Sequence, residues 1–297
     1  MQNTGMNGPA YIAPESIEDA LSIKSEHGAR ARIIAGGTDL ILRMKDKVLS
    51  PGLLIDLSRI SLDTITSQAR ELRLGACVTL SQILADARIA STYPALLEAC
   101  REFAGPPIRN RGTLGGNLVN ASPAADLVPP LLAYDASLVL ASSSSIRVLP
   151  VTEFLTGPGQ TAMEADEILT EIRLPPVPPR TAARFTKLGQ RRSMAISIVN
   201  LTTRLTLDQA AQISDARIAI GAVAPTAIRA FAAEALLIGK EPSSDLLARA
   251  AQKAGGETSP ITDVRASKNY RLKMAEVLVR RALEANWDDL QKEGSND

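Results

Sequence analysis

Two adjacent glycines stand among hydrogen-bond donors in the stretch Arg111-Gly112-Thr113-Leu114-Gly115-Gly116-Asn117, which continues through Asn120-Ala121-Ser122-Pro123-Ala124-Ala125-Asp126. A second pair stands upstream in Ala35-Gly36-Gly37-Thr38-Asp39-Leu40, after a strand-like run over residues 31–35. Backbone without a Cβ can approach an anion closely, and its N–H groups can point inward as a nest for phosphate oxygens. Either pair alone is more typical of a simple turn than of an anion site. Together they predict a site that holds a diphosphate from two sides.

No standard nucleotide fingerprint accompanies these loops. The spacing G-x-G-x-x-A does occur at Gly157-Pro158-Gly159-Gln160-Thr161-Ala162. It follows no convincing strand, however, and Pro158 has no N–H to offer a phosphate. A Walker-type G-x-x-x-x-G-K-[ST] is missing from the sequence. The two glycine pairs therefore carry the argument for an anion site.

The overall composition is that of an ordinary globular chain with no excess of either charge. Of 297 residues, 45% are hydrophobic, and 33 basic residues balance 32 acidic ones. A net charge of +1 and only 3% aromatic residues argue against a nucleic-acid partner, which needs a basic surface or stacking rings. At roughly 150 residues per domain, the length predicts two domains.

Metal-binding and nucleophilic residues are scarce. His27 is the single histidine, and Cys77 and Cys100 are the only cysteines. An iron–sulfur cluster needs about four thiolates, so no metal centre is expected on this chain. A Ser/His/Asp or Cys/His catalytic group is not expected either, because His27 has no evident partners. Any metal in the system is predicted to lie on another chain.

One apolar segment, residues 127–146, requires a choice between a membrane span and buried structure. Its twenty residues contain a single charge, at Asp135. Pro129 and Pro130 interrupt it and a run of serines dilutes it, so a buried helix leading into a buried strand is favoured over a membrane span. Residues 1–11 contain no charged n-region and no apolar h-region, so no signal peptide is expected. A cytoplasmic protein is predicted.

The order of elements indicates an α+β fold. Ser16 and Asp19 resemble a capping box before a helix that Gly28 would end. The first sixty residues then complete a small β-α-β unit, with strands at 31–35 and 53–57. The following elements are a strand at 72–76, helices at 80–84 and 96–103, a glycine- and proline-rich loop over 105–123, and strands at 137–140 and 168–174. Helices and strands do not alternate regularly, which argues against a doubly wound sheet.

A proline-rich stretch marks the predicted domain boundary. Pro175-Pro176-Val177-Pro178-Pro179 has four prolines in five residues and cannot continue a helix or a central strand. Beyond it, strand-like runs cover residues 195–206 and 216–223. Two amphipathic helices follow, one with an apolar face of Leu247, Ala250, Ala251 and Ala254, and one over about 267–287. A smaller α+β domain is therefore expected after the linker.

The spaced motifs resemble one known family. The two glycine loops, in the contexts Ala-Gly-Gly-Thr-Asp-Leu and Arg-Asn-Arg-Gly-Thr-Leu-Gly-Gly-Asn-Leu, and the later Asn-Ala-Ser-Pro-Ala-Ala-Asp are similar to the FAD-binding subunit of molybdenum hydroxylases. That family includes the medium subunit of carbon monoxide dehydrogenase and the flavin domain of xanthine dehydrogenase. The resemblance extends in order over about residues 10–285, and includes Asp263-Val264-Arg265-Ala266-Ser267.

The resemblance implies a division of the chain. An FAD-binding domain would cover residues 1–177, in subdomains of about 1–58 and 59–177. A C-terminal α+β domain with an antiparallel sheet and helices would cover 180–290. FAD is the implied cofactor.

The resemblance also implies which residues contact FAD. A first loop would wrap the diphosphate and adenosine side: Ile33, Ile34, Ala35, Gly36, Gly37, Thr38, Asp39 and Leu40. In the second loop, Thr113 and Asn117 would bond the phosphates, and Gly115 and Gly116 would give backbone access. Phe103 matches an aromatic position near the adenine end, Asp126 a cofactor-contacting carboxylate, and Val119 a position near the flavin ring. Leu169 and Lys187 match positions beside the flavin, where the cation would stabilise negative charge on the reduced ring.

Some residues keep two interpretations. Asp39 is suited to bonding a ribose, and equally to capping the helix that follows it. Gln190-Arg191-Arg192 is suited to contacting a partner or a nucleotide, and equally to forming a solvated charged turn. Some family members place a tyrosine over the flavin, and no counterpart of it is identified here. Other members carry an extra iron–sulfur cluster on this subunit, and nothing in this chain could supply its ligands.

The implied function is electron transfer. A large subunit with a molybdenum cofactor would hydroxylate the substrate, and a small subunit with iron–sulfur clusters would pass electrons to the flavin. An acceptor such as NAD+, oxygen or a quinone would then receive them, with no catalytic acid or base on this chain. Two rivals stay open: a non-catalytic scaffold subunit of the same complex, and a stand-alone flavin oxidase.

Overall fold

The computed structural model describes residues 8–191 and 193–294. Arg192, one of the two arginines discussed above, lies outside the described residues, as does most of the segment examined for a signal peptide. Within these ranges, no helix is both long and apolar enough to cross a membrane. The apolar segment 127–146 instead forms a short buried helix followed by a buried strand, as predicted.

The first subdomain is a small parallel sheet with two helices. Its elements are β1 Ala10–Ile12, α1 Ile17–His27, β2 Ala31–Ile34, α2 Leu40–Lys45 and β3 Leu53–Asp56, in sheet order β1-β3-β2. Ser16 caps α1 by accepting a hydrogen bond from the N–H of Asp19, and Gly28 ends it at a φ of 51°. The predicted β-α-β unit is confirmed, with β1 as an edge strand that the pattern did not reveal.

The second subdomain is a five-stranded antiparallel sheet with helices packed on it, in the order β4-β5-β10-β6-β7. Its strands are β4 Ile65–Gln68, β5 Glu71–Gly75, β6 Ser137–Ala141, β7 Ile146–Pro150 and β10 Ile168–Leu174, with a separate hairpin of β8 Leu155–Gly157 and β9 Gln160–Thr161. Its helices are α3 Leu80–Ala85, α4 Ala87–Thr92, α5 Pro94–Glu102, α6 Pro106–Arg109, α7 Leu114–Asn120, α8 Val128–Ala133 and α9 Val151–Phe154.

The stretch 105–123, predicted as a loop, is in fact largely helical. Helix α6 begins with a proline, which is tolerated in the first turn because the N–H there needs no partner within the helix. Helix α7 begins after Thr113, whose hydroxyl accepts the N–H of Gly116. Prolines and glycines are both compatible with a first helical turn, so a stretch rich in them can still begin helices. The absence of a strand before Gly157 was also a wrong prediction, since β8 ends there.

The C-terminal part is a four-stranded antiparallel sheet covered by helices. Its elements are β11 Thr181–Leu188, β12 Val199–Leu207, β13 Ile213–Gly221, β14 Ile228–Arg229, α10 Phe231–Leu237, α11 Ser244–Gly256 and α12 Lys268–Gly294, with sheet order β11-β12-β13-β14. The predicted apolar face of α11 is buried in the core of this part. The strand predicted from residue 195 begins only at Val199, because Ala195 and Ile196 line a cleft instead.

The C-terminal sheet packs directly on helices α5 and α8 of the second subdomain. Phe185 of β11 is buried in the same hydrophobic core as Leu96 and Leu131, and its N–H donates to the carboxylate of Glu98 at 2.8 Å. Burial raises the pKa of Glu98, whereas the N–H of Phe185 favours its charged form. These contacts fix the C-terminal sheet against the second subdomain.

Candidate functional site

A cleft of about 820 Å³ lies where the two subdomains and the C-terminal sheet meet. That size falls within the range of about 300–1,000 Å³ typical of ligand sites. All residues predicted to contact the cofactor line it except Lys187: Ile33, Ile34, Ala35, Gly36, Gly37, Thr38, Asp39, Leu40, Phe103, Thr113, Gly115, Gly116, Asn117, Val119, Asp126 and Leu169. The fold thus brings together residues that lie far apart in the sequence. Their individual roles stay predictions.

The first glycine loop connects β2 to α2 and leaves backbone donors unpaired. In the described part of the chain, no acceptor bonds the N–H groups of Gly36, Gly37, Thr38 or Asp39. Gly37 has a φ of +70°, which favours glycine. A Cβ on Gly36 would lie 1.9 Å from the carbonyl oxygen of Arg111, so this glycine lets the two loops pack together. The predicted nest for phosphate oxygens fits this loop.

The second glycine pair differs from the prediction. The N–H of Gly115 donates to the carbonyl of Ala76 at 2.9 Å, and the N–H of Gly116 donates to the hydroxyl of Thr113 at 3.0 Å. The expectation that both loops offer free N–H groups is therefore wrong for this pair. Both glycines still line the cleft, but their N–H groups are already bonded within the protein.

Asn117 is a polar residue whose bonding is incomplete in the protein alone. Its Oδ1 is buried and has no hydrogen-bond partner in the described part of the chain. Buried polar atoms are almost always paired, so an orphan in the wall of a cleft indicates a ligand donor. A sugar or ribityl hydroxyl of FAD fits this requirement, and the amide nitrogen is then available to a phosphate.

Asp39 is the residue of the first loop that directly precedes α2. Its side chain makes no capping hydrogen bond to α2, and its nearest ionic partner is Arg43 at 3.9 Å. The capping interpretation is therefore wrong for Asp39. Its carboxylate is 52% exposed and is available to a ribose hydroxyl, as the other interpretation requires.

Asp126 and Lys187 form a buried ion pair at the edge of the cleft. The Nζ of Lys187 lies 2.6 Å from Oδ2 of Asp126, and the two side chains are 6% and 8% exposed. Asp126 lines the cleft and Lys187 lies behind it. Lys187 itself is not among the residues of the cleft lining, but it bonds Asp126, which is, and its charge is balanced there. Its place beside the flavin stays a prediction.

One part of the cleft wall is apolar. Phe103 follows α5, Leu169 lies in β10 and is 4% exposed, and Val119 is on α7. The pairing of β10 with β6 has a bulge between Leu169 and Glu171, a device that often re-aims a side chain beside a site. These surfaces suit a flat aromatic ring.

Several residues that line the cleft were not predicted. Met194 and Ile196 are each 57% exposed and close the cleft from the C-terminal part. Arg191 donates to the carbonyl of Met194 at 2.8 Å, so this arginine folds back on its own turn. Ile196 was interpreted as part of a strand beginning at residue 195, and Met194, next to the charged turn, was assigned to no element.

Two further residues of the wall, Cys77 and Lys24, are titratable. Burial, with the nearby carboxylates of Asp63 and Asp56, raises the pKa of Cys77 to about 12, so its thiol stays protonated at neutral pH. Burial lowers the pKa of Lys24, whose Nζ donates to the carbonyl of Gly28 at 2.7 Å. The thiolate of Cys77 is thus disfavoured, and the Nζ of Lys24 is occupied by the carbonyls of Gly28 and Ala31. No cluster of metal-ligating side chains occurs among the residues that the structure describes.

Comparison with known protein families identifies the family of this chain. A model of the "FAD binding domain in molybdopterin dehydrogenase" matches residues 4–177, and one of the "CO dehydrogenase flavoprotein C-terminal domain" matches residues 184–285. The chain belongs to the FAD-binding subunits of the molybdenum hydroxylases. The predicted resemblance, the α+β fold and the FAD cofactor are therefore confirmed.

Relatives of this family are similar over nearly their full length. The 6-hydroxypseudooxynicotine dehydrogenase complex subunit alpha of Paenarthrobacter nicotinovorans is 32% identical over 92% of each chain. The putative xanthine dehydrogenase FAD-binding subunit XdhB of Escherichia coli K12 is 31% identical, covering 92% of this chain and 94% of the relative. A solved carbon monoxide dehydrogenase from Hydrogenophaga pseudoflava superimposes with a TM-score of 0.91 at 32% identity, covering 95% of this chain and 98% of that one. Such relatives are subunits of oxidoreductases.

Proposed function

We propose that this chain passes electrons from iron–sulfur clusters on a partner subunit to a soluble acceptor, through FAD held in the cleft. The observation that carries the proposal is the incomplete bonding of the wall: free N–H groups at Gly36 and Gly37, and the unpaired Oδ1 of Asn117. Bound FAD supplies the redox chemistry, since it accepts electrons singly and releases them as a pair.

The residues of the chain bind and orient the cofactor in this proposal. The first loop donates N–H groups to the diphosphate, and Asn117 accepts a hydroxyl. Leu169 excludes water from the flavin ring, Phe103 contacts the adenine end, and the ion pair of Asp126 with Lys187 adds no net charge beside the flavin. NAD+, oxygen or a quinone would be the acceptor, and no acid or base on this chain is needed.

We further propose two partner subunits, one with a molybdenum cofactor and one with iron–sulfur clusters. The support is indirect: relatives are termed a medium chain or a subunit of a dehydrogenase complex, and two cysteines are too few for the thiolates of an iron–sulfur cluster. Cys77 and Cys100 are both free thiols, which fits a reducing compartment such as the cytoplasm.

The rival functions differ in what the purified chain does alone. A scaffold subunit would show no flavin absorption and bind no added FAD. A stand-alone oxidase would turn over an organic substrate without any partner. We expect the full-length chain to bind FAD, and to be inactive toward organic substrates until it is combined with its partners.

Lys187→Met tests the electron-transfer role. Its loss leaves the carboxylate of Asp126 uncompensated beside the ring and disfavours added negative charge, so reduction of FAD by the partners should slow about tenfold or more. FAD should stay bound, because Ser197 and Asn200 still hold Asp126. Stopped-flow reduction of the assembled complex measures this rate.

The matched control is Lys273→Met, an exposed lysine that pairs with Glu276 on α12. Its reduction rate should equal that of the wild type. Equal rates in the Lys187 variant and this control would reject the role of Lys187. Failure of the wild-type chain to bind FAD would reject the whole proposal.

A further inference from the structure

The carboxylate of Asp126 is held by three donors from the C-terminal part. Oδ1 accepts the hydroxyl of Ser197 at 2.6 Å and the Nδ2 of Asn200 at 2.8 Å, while Oδ2 accepts the Nζ of Lys187 at 2.6 Å. Ser197 and Asn200 are 1% and 0% exposed, so both bonds are shielded from water. Three hydrogen bonds to one carboxylate at the edge of the cleft indicate that its position matters for the site.

The sheet register shows how the arrangement is built. Lys187, Asn200 and Gly221 are direct neighbours across β11, β12 and β13. Side chains at directly opposed positions lie close enough to act together. A Cβ on Gly221 would lie 2.1 Å from Oδ1 of Asn200, so this glycine makes the room that the asparagine occupies. The sheet therefore places one cation and one amide side by side beneath Asp126.

The same strands also hold the backbone that carries Asp126. The Nδ2 of Asn200 bonds the carbonyl of Ala125 at 3.3 Å, and the N–H of Ala222 bonds the carbonyl of Pro123 at 2.8 Å. Ala125 lines the cleft with Asp126. The side chain and its supporting loop are thus fixed by a single asparagine together with the end of β13.

A carboxylate offers about four lone-pair positions, and three are taken here. We propose that Asn200 and Ser197 are positioning residues that fix Asp126 so that its remaining acceptor position meets an N–H or O–H donor of bound FAD. This inference rests on the binding of FAD in the cleft. The residues act through Asp126 and need no contact with the cofactor themselves.

The three side chains that bond Asp126 differ in charge. Lys187 of β11 is the one charged group that bonds Asp126 in the described part of the chain, and its Nζ also donates to the carbonyl of Glu102 at 3.3 Å. Ser197 and Asn200, which face the carboxylate from the segment before β12 and from β12 itself, are neutral. Any new negative charge at position 200 would therefore act directly on Asp126.

Asn200→Asp keeps the shape of the side chain and replaces a donor with an acceptor 2.8 Å from Oδ1 of Asp126. Two carboxylates this close repel one another until they share a proton, which raises the pH at which one of them is protonated. FAD affinity of the full-length variant should fall about tenfold or more at about pH 8 and recover as the pH is lowered toward about 5.5, relative to wild type at each pH. Fluorescence titration with FAD measures this affinity.

The control is Asn286→Asp, the same change at another fully buried asparagine. The Nδ2 of Asn286 bonds the carbonyl and hydroxyl of Thr203, away from the cleft lining. This variant should lose stability but show no pH-dependent change in FAD affinity. A matching pH profile in both variants, or an Asn200 variant that binds FAD like wild type at every pH, would overturn the proposal.

Ser197→Ala provides a second test that does not depend on the folding of the first variant. It removes one of the two donors to Oδ1 and adds no charge, so FAD affinity should fall several-fold at every pH. Unchanged affinity in the Ser197 variant would contradict the positioning role. If wild type itself bound no FAD, the cofactor assignment would fail before this inference was reached.

Discussion

Gly115 and Gly116 are neighbours in helix α7, but a side chain at each position would meet different atoms. A Cβ on Gly115 would lie 2.6 Å from the carbonyl oxygen and 2.8 Å from the Cβ of Ala76, both in the protein interior. A Cβ on Gly116 would meet only the hydroxyl of Thr113, at 2.8 Å. The first position is therefore closed by the fold and the second borders the cleft.

Gly115→Ala should destabilise the apoprotein by about 1–3 kcal/mol, because the added methyl overpacks a buried contact. FAD affinity of the folded fraction should change little. Urea unfolding of the apoprotein and calorimetric titration with FAD measure the two quantities separately.

Gly116→Leu should show the opposite pattern. Its side chain enters the space for the cofactor, so FAD binding should be abolished, while stability falls by only about 1 kcal/mol from disturbance of the Thr113 cap. The two glycines would not have the separate roles described here if both variants lost FAD equally and unfolded at the same urea concentration.

Helix α3 is fixed by a local motif that can be tested as an element. The hydroxyl of Thr79 accepts the N–H of Gln82, whose side chain in turn accepts the N–H of Thr79. Thr79 also pairs with Thr113, which starts α7 at the cleft. Thr79→Ala should therefore cost about 0.5–2 kcal/mol of stability, read as a lower urea midpoint with an unchanged slope.

Thr152→Ala in α9 is the matched control for this cap. Thr152 is exposed and has no side-chain hydrogen bond within the described residues, so alanine should be neutral or slightly favourable. An unchanged midpoint for the Thr79 variant would show that the capping box contributes nothing to α3.

Elements with local signals were predicted well, and those that depend on distant contacts were not. Helix α1 was predicted because Ser16 and Gly28 mark its ends in the sequence itself. Strand β11 was missed because its alternation is blurred by Ala182, Ala183 and Arg184, and its burial comes from packing on α5 and α12. In the site, the glycine loops followed from their motifs, whereas Met194 joins the wall only through the folding of the C-terminal part.

At the scale of the whole molecule, three arginines converge on Asp135. Arg204 of β12, Arg217 of β13 and Arg229 of β14 lie 3.2, 3.0 and 2.8 Å from its carboxylate, which follows α8. Arg204 and Arg229 have side chains only 7% and 6% exposed. Glu234 makes a bidentate ion pair with Arg229 and so helps to neutralise the positive charge of the arginines. The cluster joins the FAD-binding part to the C-terminal sheet.

Asp135→Asn should weaken this junction by about 1–3 kcal/mol, because it leaves the arginines short of one negative charge. Asparagine suits the φ of 51° at this position, so the loss should reflect charge rather than backbone strain. Denaturant unfolding followed in both parts of the molecule measures the loss. The control is Asp245→Asn, which removes an exposed pair with Arg249 and should have no effect on stability. Equal stability of the two variants would show that Asp135 does not stabilise the junction.

The hydrogen bonds from the C-terminal part to Asp126 also have a consequence for biosynthesis. Asp126 leaves the ribosome 61 residues before Lys187 and 74 before Asn200. At about 5–20 residues per second, several seconds of translation separate the loop from the strands that secure it. A nascent chain that ends at the proline-rich linker therefore lacks all three donors that hold the carboxylate of Asp126.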